Sequence, residues 1–196
     1  MREPAVSSGD RRLIQIVDAA MEEAVRRSGA WVACRPGCTQ CCIGPFAINQ
    51  LDARRLRAGL AELRATDPPR ADHLERRANA FVARWSADFP GDPVTGLLAD
   101  EDFPDFAEDV PCPALDPEQG TCDLYEARPM TCRVFGPAVL GEDGVVGACE
   151  LCYVGADDRQ IEACSVEVDP GRVESSLSQE LEPGLTTVAW CLSSAR

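Results

Sequence analysis

The sequence contains no lysine, and all nineteen basic residues are arginine. That absence excludes Schiff-base chemistry and the lysine of a phosphate-binding loop. Histidine is almost as scarce. With His73 alone, a multi-histidine metal site is impossible, and any scheme that needs an imidazole base has one candidate. No apolar run approaches the roughly 18 residues of a membrane span. The polar stretch from Met1 to Asp10 has no signal-peptide core, so the expectation is a cytoplasmic protein with no membrane partner. What remains is a chain of 196 residues, 45% hydrophobic and 27% charged, a composition that excludes wholesale disorder and suits a domain with a core.

Charge is divided unevenly along the chain. Residues 1–87 hold 14 Arg against 10 acids, whereas residues 88–196 hold 5 Arg against 23, and the whole carries −14. A field this negative repels phosphate backbones, so nucleic acid is not an expected partner. Arg54, Arg55, Arg57, Arg76 and Arg77 read as a solvated helix face. The acidic run Asp100, Glu101, Asp102, Asp105, Glu108 and Asp109 lacks the ligand spacing and turn glycine of a calcium loop and reads as a linker.

Helical periodicity is concentrated in the first half. Leu13, Ile16, Val17, Ala20, Met21 and Ala24 share one face of a helix with Asp10 as its expected N-cap. Leu56, Leu60 and Leu63 make a shorter stripe; Leu74, Ala78, Phe81, Val82 and Trp85 make a third, with Pro90 as its stop. Val145–Val146 and Val166–Val168 are short strand candidates. Asp169-Pro170 opens a last helix with Val173, Leu177 and Leu181 on one face, closed by Pro183. The predicted architecture is mainly α with an irregular, metal-stapled cysteine-rich half and little β. It is one domain over 1–196: a helical part at 10–87, an acidic linker at 88–110, a second cysteine-rich part at 111–152 and a C-terminal helix at about 170–182. Because residues 88–170 are poor in periodic apolar pattern, a bound metal is expected to contribute folding energy there.

Against all these scarcities stand eleven cysteines. In a reducing compartment such a chain points to metal or redox chemistry rather than to a disulfide scaffold, and the odd count points the same way. Four lie within Cys34-Arg-Pro-Gly-Cys38-Thr-Gln-Cys41-Cys42, where Pro36 and Gly37 predict a tight turn. Adjacent residues project apart in both helix and strand, so Cys41 and Cys42 suggest two sites or one polynuclear site. A second group is Cys112, Cys122 and Cys132; Cys149 and Cys152 form a Cys-x2-Cys knuckle or redox pair. Cys164 and Cys191 stand alone and read as buried small hydrophobes. With His73 isolated on the third helix, coordination must be all-sulfur, which both zinc and iron–sulfur chemistry accept. Two Cys-x2-Cys pairs, Cys38/Cys41 and Cys149/Cys152, favour Zn2+. Iron–sulfur, and 4Fe–4S in particular, is favoured by three close cysteines plus a remote one, by the Pro after Cys112 and by the adjacent pair. Arg128 and Arg133 flank Cys132 and are candidates to offset the negative charge of a thiolate-bound group. For Arg128 the alternative is pairing with Glu126 or capping a helix end. Tyr125 reads as core packing, and Pro129 as the stop that delivers Cys132.

The run Cys34-x3-Cys38-x2-Cys41-Cys42, then Cys112-Pro-x-Leu, then Cys122-x-Leu-Tyr-Glu-x-Arg-Pro-x-x-Cys132-Arg-x-Phe and a further cysteine resembles the zinc- or iron-chelating cysteine-cluster family of the YkgJ type. The resemblance spans about residues 30 to 152. It implies a small bacterial metal-binding domain whose eight family cysteines fall on Cys34, Cys38, Cys41, Cys42, Cys112, Cys122, Cys132 and Cys149. Cys152, Cys164 and Cys191 are extra, and whether Cys152 replaces or joins Cys149 is open. A related cluster in the flagellin lysine N-methylases suggests an iron–sulfur centre, but those chains carry an additional region missing here, and methylation is not carried over.

The expected function is therefore a metal-binding protein, iron–sulfur by preference, with a structural or electron-transferring centre and a redox or protein partner. Two other classes compete. Cys34-x3-Cys38-x2-Cys41 has the spacing of a radical S-adenosylmethionine motif, yet it follows a predicted helix in a chain without alternating strands and helices. Cys149-Glu-Leu-Cys152 has thiol-redox spacing but no surrounding βαβ pattern.

Overall fold

The computed structural model describes residues 6–100, 106–141 and 143–194. In chain order the helices are α1 (Ser8–Ser28), α2 (Gln50–Thr66), α3 (Pro68–Trp85), α4 (Met130–Val134), α5 (Asp158–Cys164), α6 (Val173–Ser178) and α7 (Val188–Leu192). Among the described residues, strands are confined to three antiparallel pairs of two residues each: β1 (Gly91–Asp92) with β2 (Leu97–Leu98), β3 (Leu115–Asp116) with β4 (Thr121–Cys122), and β5 (Val139–Leu140) with β6 (Val146–Gly147). The protein is mainly α with little β, as the periodicities imply. The chain gathers into two compact units, each built from separated segments. The first comprises Thr39–Pro129 and the stretch from Ser178; the second comprises Ser7–Cys38 and Met130–Leu177.

In the first unit α2, α3 and α7 pack on one another around Leu56, Leu60, Leu74, Ala78, Val188 and Leu192. Asn49 caps α2 by accepting from the Asp52 amide at 2.9 Å, and Asp67 caps α3 by accepting from the Arg70 amide, with Pro68 in the first turn. Helix α3 already ends at Trp85, and a 3-10 turn at Ser86–Asp88 separates it from Pro90. Beside this core lies an aromatic group in which Phe89 stacks on the fully buried Trp190 at 3.9 Å between ring centroids.

α7, like α4 and α5, is an element that periodicity does not announce. Five residues are too few to repeat a stripe, and the helix is recognisable only because Val188, Ala189, Trp190, Cys191 and Leu192 are all buried. The expected C-terminal helix at about 170–182 is shorter. The Asp169 carboxylate accepts from the amides of Val173 and Glu174 and starts α6 there, and the helix stops at Ser178.

In the second unit α1 lies against α4 and α5. Its N-cap is Ser7, whose hydroxyl accepts from the Asp10 amide at 3.1 Å, so Asp10 sits inside the first turn and not at the cap. Val146 enters β6 as its neighbour Val145 stays outside, and Val166 makes only an isolated parallel bridge to Val139. Glu101, Asp102 and Asp105 of the acidic run lie outside the described residues.

Candidate metal centres

Within the first unit, four cysteines come from three pieces of chain. Cys41 and Cys42 occupy a 3-10 turn at Gln40–Cys42. The Cys112 amide donates to the Cys42 carbonyl at 2.7 Å, and Ile43 bridges Pro111, which places the two segments side by side. Cys122 on β4 pairs in register with Leu115, three residues beyond Cys112, and the Asp123 amide closes this ribbon by donating to the Ala114 carbonyl at 2.7 Å. Cys112 and Cys122 are partly buried and pack against the core that holds residues of α2, α3 and α7.

The thiols of this set perturb one another. Cys41 is pulled down to about 6, first by a hydrogen bond from the Cys42 thiol, then by a backbone amide and the Arg128 charge working against desolvation. Cys42 moves the opposite way, because it holds the shared proton and is also desolvated and crowded by Cys41, Cys112 and Cys122. Burial pushes Cys112 up to about 12, while the amides of Ala114 and Leu115 donate to its sulfur and Arg77 adds positive charge. Burial likewise raises Cys122, opposed by the Leu124 amide and Arg128. Amides and guanidinium groups directed at sulfur favour thiolate over thiol.

Two arginines are held in place beside this set. Arg77 donates to the Pro113 carbonyl at 2.8 Å and pairs with the Asp123 carboxylate, which also accepts from Arg70 at 2.5 Å. The Arg128 guanidinium donates to the Tyr125 carbonyl at 2.7 Å and lies over the Tyr125 ring at 3.8 Å. Arg128 is also the C-cap of the 3-10 turn at Tyr125–Ala127, its backbone amide donating to the same Tyr125 carbonyl at 3.4 Å, so the helix-cap alternative describes its position. Tyr125 is 57% exposed, so it is a platform for Arg128 and not part of the core.

The second unit gathers another four. Cys34 shares a thiol hydrogen bond with Cys152 and lies near Cys38 and Cys149; desolvation first, then these three neighbours, push it up to about 12. The turn at Arg35–Cys38 is closed by the Cys38 amide on the Arg35 carbonyl at 2.9 Å, with Gly37 at φ +88°. In the knuckle the Cys152 amide donates to the Cys149 carbonyl at 2.9 Å, and the Ala33 amide donates to the Cys152 sulfur at 3.5 Å. Gly136, two residues past α4, closes the set: its carbonyl accepts from the Cys149 amide at 3.0 Å. Tyr153, next to Cys152, is buried; its hydroxyl bonds Ser28 at 2.5 Å and accepts from the Ala138 amide at 2.9 Å.

Set against the sequence reading, the adjacent pair behaves unexpectedly. Cys41 and Cys42 do not diverge, since a 3-10 turn is neither helix nor strand and lets both thiols meet. Cys38 and Cys41 fall in different units. Cys152 lies beside Cys34, with Cys149 nearby. Cys132 is half-buried on α4. Arg133, also on α4, is buried with its guanidinium on Asp18 at 2.6 Å. Cys164 and Cys191 are buried and donate to the carbonyls of Arg27 and Ala53, as small core residues do. Gly136 and Tyr153 were invisible to spacing rules; the only local signal is their position immediately after Phe135 and Cys152.

Among the described residues no group of three or more His, Cys, Asp or Glu side chains stands in a geometry that holds a metal ion. The two sets are neighbourhoods of thiols, not closed cages. Drawing four sulfurs to one point as thiolates meets like-charge repulsion that a cation offsets, so closure and metal binding go together. The donor set suits a soft or borderline metal, with sulfur ligands and backbone amides directed at sulfur.

Two neighbourhoods of four cysteines on a mainly helical scaffold define a cysteine-rich protein. The profile of the CxxCxxCC family, described as "Putative zinc- or iron-chelating domain", matches residues 33–153. That match covers more than half of the chain, and the protein belongs to this family. No curated protein and no solved structure matches the chain.

Proposed function

We propose that the protein is an iron–sulfur protein whose thiolate-bound centres serve a structural or electron-transferring role. The observation that carries this reading is the gathering of eight cysteines into two sets of four without histidine, in surroundings that direct amides and arginines at sulfur. Bound iron–sulfur clusters supply one-electron transfer and cross-link the segments that hold them. Cys34, Cys38, Cys149 and Cys152 would hold one centre, and Cys41, Cys42, Cys112 and Cys122 the other. Cys132 is a further candidate donor, carried by the family motif.

The Cys149-x2-Cys152 knuckle, with an amide on its sulfur, equally suits a structural Zn2+ site. A radical enzyme receives no support, because the strands among the described residues are three two-residue pairs with no βα barrel. The test is anaerobic isolation followed by metal analysis, acid-labile sulfide and absorption near ~400 nm. Iron with matching sulfide supports the reading. Near-stoichiometric zinc with no sulfide, persisting after reconstitution, replaces it with the zinc one.

A further inference from the structure

In the second unit two sulfurs come into direct contact, and they are not the pair that spacing suggests. The thiols of Cys34 and Cys152 share a hydrogen bond across more than a hundred residues. Three further observations fix that meeting. The segment before Cys34 is held to the knuckle twice, by the Ala33 amide on the Cys152 sulfur at 3.5 Å and by the Tyr153 amide on the Trp31 carbonyl at 2.9 Å. Trp31, Val32 and Ala33 also pack on the cluster that contains the buried Cys152 and Tyr153. Finally, the missing side chain of Gly136 admits the Cys34 sulfur, which lies 2.6 Å from where a Cβ would stand. Cys149 is tied through its backbone instead, its amide donating to the Gly136 carbonyl and its carbonyl accepting from the Cys152 amide.

We propose that Cys34 and Cys152 are a redox pair: a small disulfide oxidant converts their thiols into a Cys34–Cys152 disulfide, and a small thiol reverses the change. One of the two, as thiolate, attacks the S–S bond of the oxidant, forming a mixed disulfide and releasing one thiolate. The other, on losing its proton, attacks the protein sulfur of that mixed disulfide and releases the second. The protein gives up two electrons and two protons, and the oxidant leaves with both as two thiols. The second step needs a neighbouring thiol already in place. The contact supplies it, and the two sulfurs have only to close from hydrogen-bond contact to the ~2.05 Å of a covalent S–S bond. Thiolate, not disulfide sulfur, is the metal ligand. Oxidation therefore removes two of the four cysteines proposed above for the second unit's centre; this consequence rests on the metal-binding reading, whereas the pairing does not.

The experiment uses the full chain, reduced, freed of metal with EDTA and handled anaerobically, with oxidised glutathione as the probe. Remaining thiols are blocked with iodoacetamide, and the chain is digested with trypsin without reduction. Trypsin does not cut between Arg35 and Pro36, so Cys34 travels in peptide 28–54, and Cys149 and Cys152 together in peptide 134–159. The expected product joins these two peptides, with fragmentation placing the bond on Cys34 and Cys152. A loop closed within 134–159, a bond from Cys34 to any other cysteine, or glutathione retained on either residue with no join overturns the pairing, as does any other outcome without that join. Zn2+ added afterwards reads the consequence. The oxidised chain should take up roughly twofold less zinc than the reduced one, since one of two four-cysteine sets has lost its donors, and reduction followed by desalting should restore uptake. Equal uptake with the disulfide in place overturns the effect on metal and leaves the pairing. No uptake by the reduced chain overturns the metal-binding reading, and the pairing is then judged by the peptide map alone. The map is made on the unmutated chain, so the result does not depend on any variant folding.

Discussion

A Cβ built on Gly136 would stand 2.6 Å from the sulfur of Cys34, closer than real carbon–sulfur contacts allow. Gly136 also holds φ at +125°, a backbone conformation that side chains resist. Gly136→Ala must therefore strain the backbone and push Cys34 away from Cys152 together. The expected outcome is loss of about 1–3 kcal/mol of stability in denaturant titration and loss of one metal equivalent per chain. A variant with full metal content and unchanged midpoint would show that Cys34 moves aside freely.

Tyr153 is a positioning residue for the knuckle. Its hydroxyl accepts from the fully buried Ala138 amide, and because Ser28 donates to the Ala24 carbonyl at 2.6 Å, Tyr153 donates to Ser28. Tyr153→Phe leaves that amide unsatisfied, at a cost of about 1–3 kcal/mol. Zinc loading should still reach the wild-type number, with release from the second unit accelerated. Unchanged release kinetics would restrict Tyr153 to the core.

Arg128→Ala removes the charge that lowers Cys41 and opposes the rise of Cys122. Loss of a cation raises a thiol's pKa, so iodoacetamide labelling of Cys41 before metal loading should need a higher pH. Metal retention in the first unit should fall by roughly 10–100-fold, as for other groups that support metal ligands. Arg128→Lys should recover part of it, since the charge remains while the planar contact with Tyr125 is lost. Equal retention in all three proteins would confine Arg128 to its contact with Tyr125.

Asp123 is buried between Arg70 and Arg77 and joins α3 to the ribbon that carries Cys112 and Cys122. Asp123→Ala leaves two guanidinium groups without their shared carboxylate. Both keep partial contact with water, so the expected loss is about 1–3 kcal/mol, below that of a fully buried pair. Faster metal loss from Cys112 and Cys122, with the second unit unaffected, checks the link; equal acceleration in both units would argue for general loosening.

Cys164→Ser and Cys191→Ser serve as controls. Each thiol donates to a backbone carbonyl inside a core, and a serine hydroxyl can do the same with a shorter reach. Both variants should keep wild-type metal content in elemental analysis while losing about 1 kcal/mol or more of stability. Metal loss in either would move that cysteine into a candidate centre.

The sequence by itself determined the helical character of the first half and the chemistry of the candidate centres. A period of 3.6 residues in Leu13, Val17 and Ala24, or in Leu74, Ala78 and Phe81, is local information, and their burial follows from it. With only His73 beside eleven cysteines, sulfur is the donor type the composition points to. Tertiary structure alone decided which sulfurs are neighbours. Cys38 and Cys41 are three residues apart and belong to different units, whereas Cys34 and Cys152 meet across more than a hundred residues. Spacing rules assume that nearby residues share a site, but a turn such as Arg35–Cys38 can redirect the chain between them. The same holds for Cys41 and Cys42, whose convergence depends on a 3-10 turn anchored by the Cys112 backbone. Gly136, α7 and the platform of Tyr125 under Arg128 were likewise decided by contacts distant in sequence or too short to leave a period.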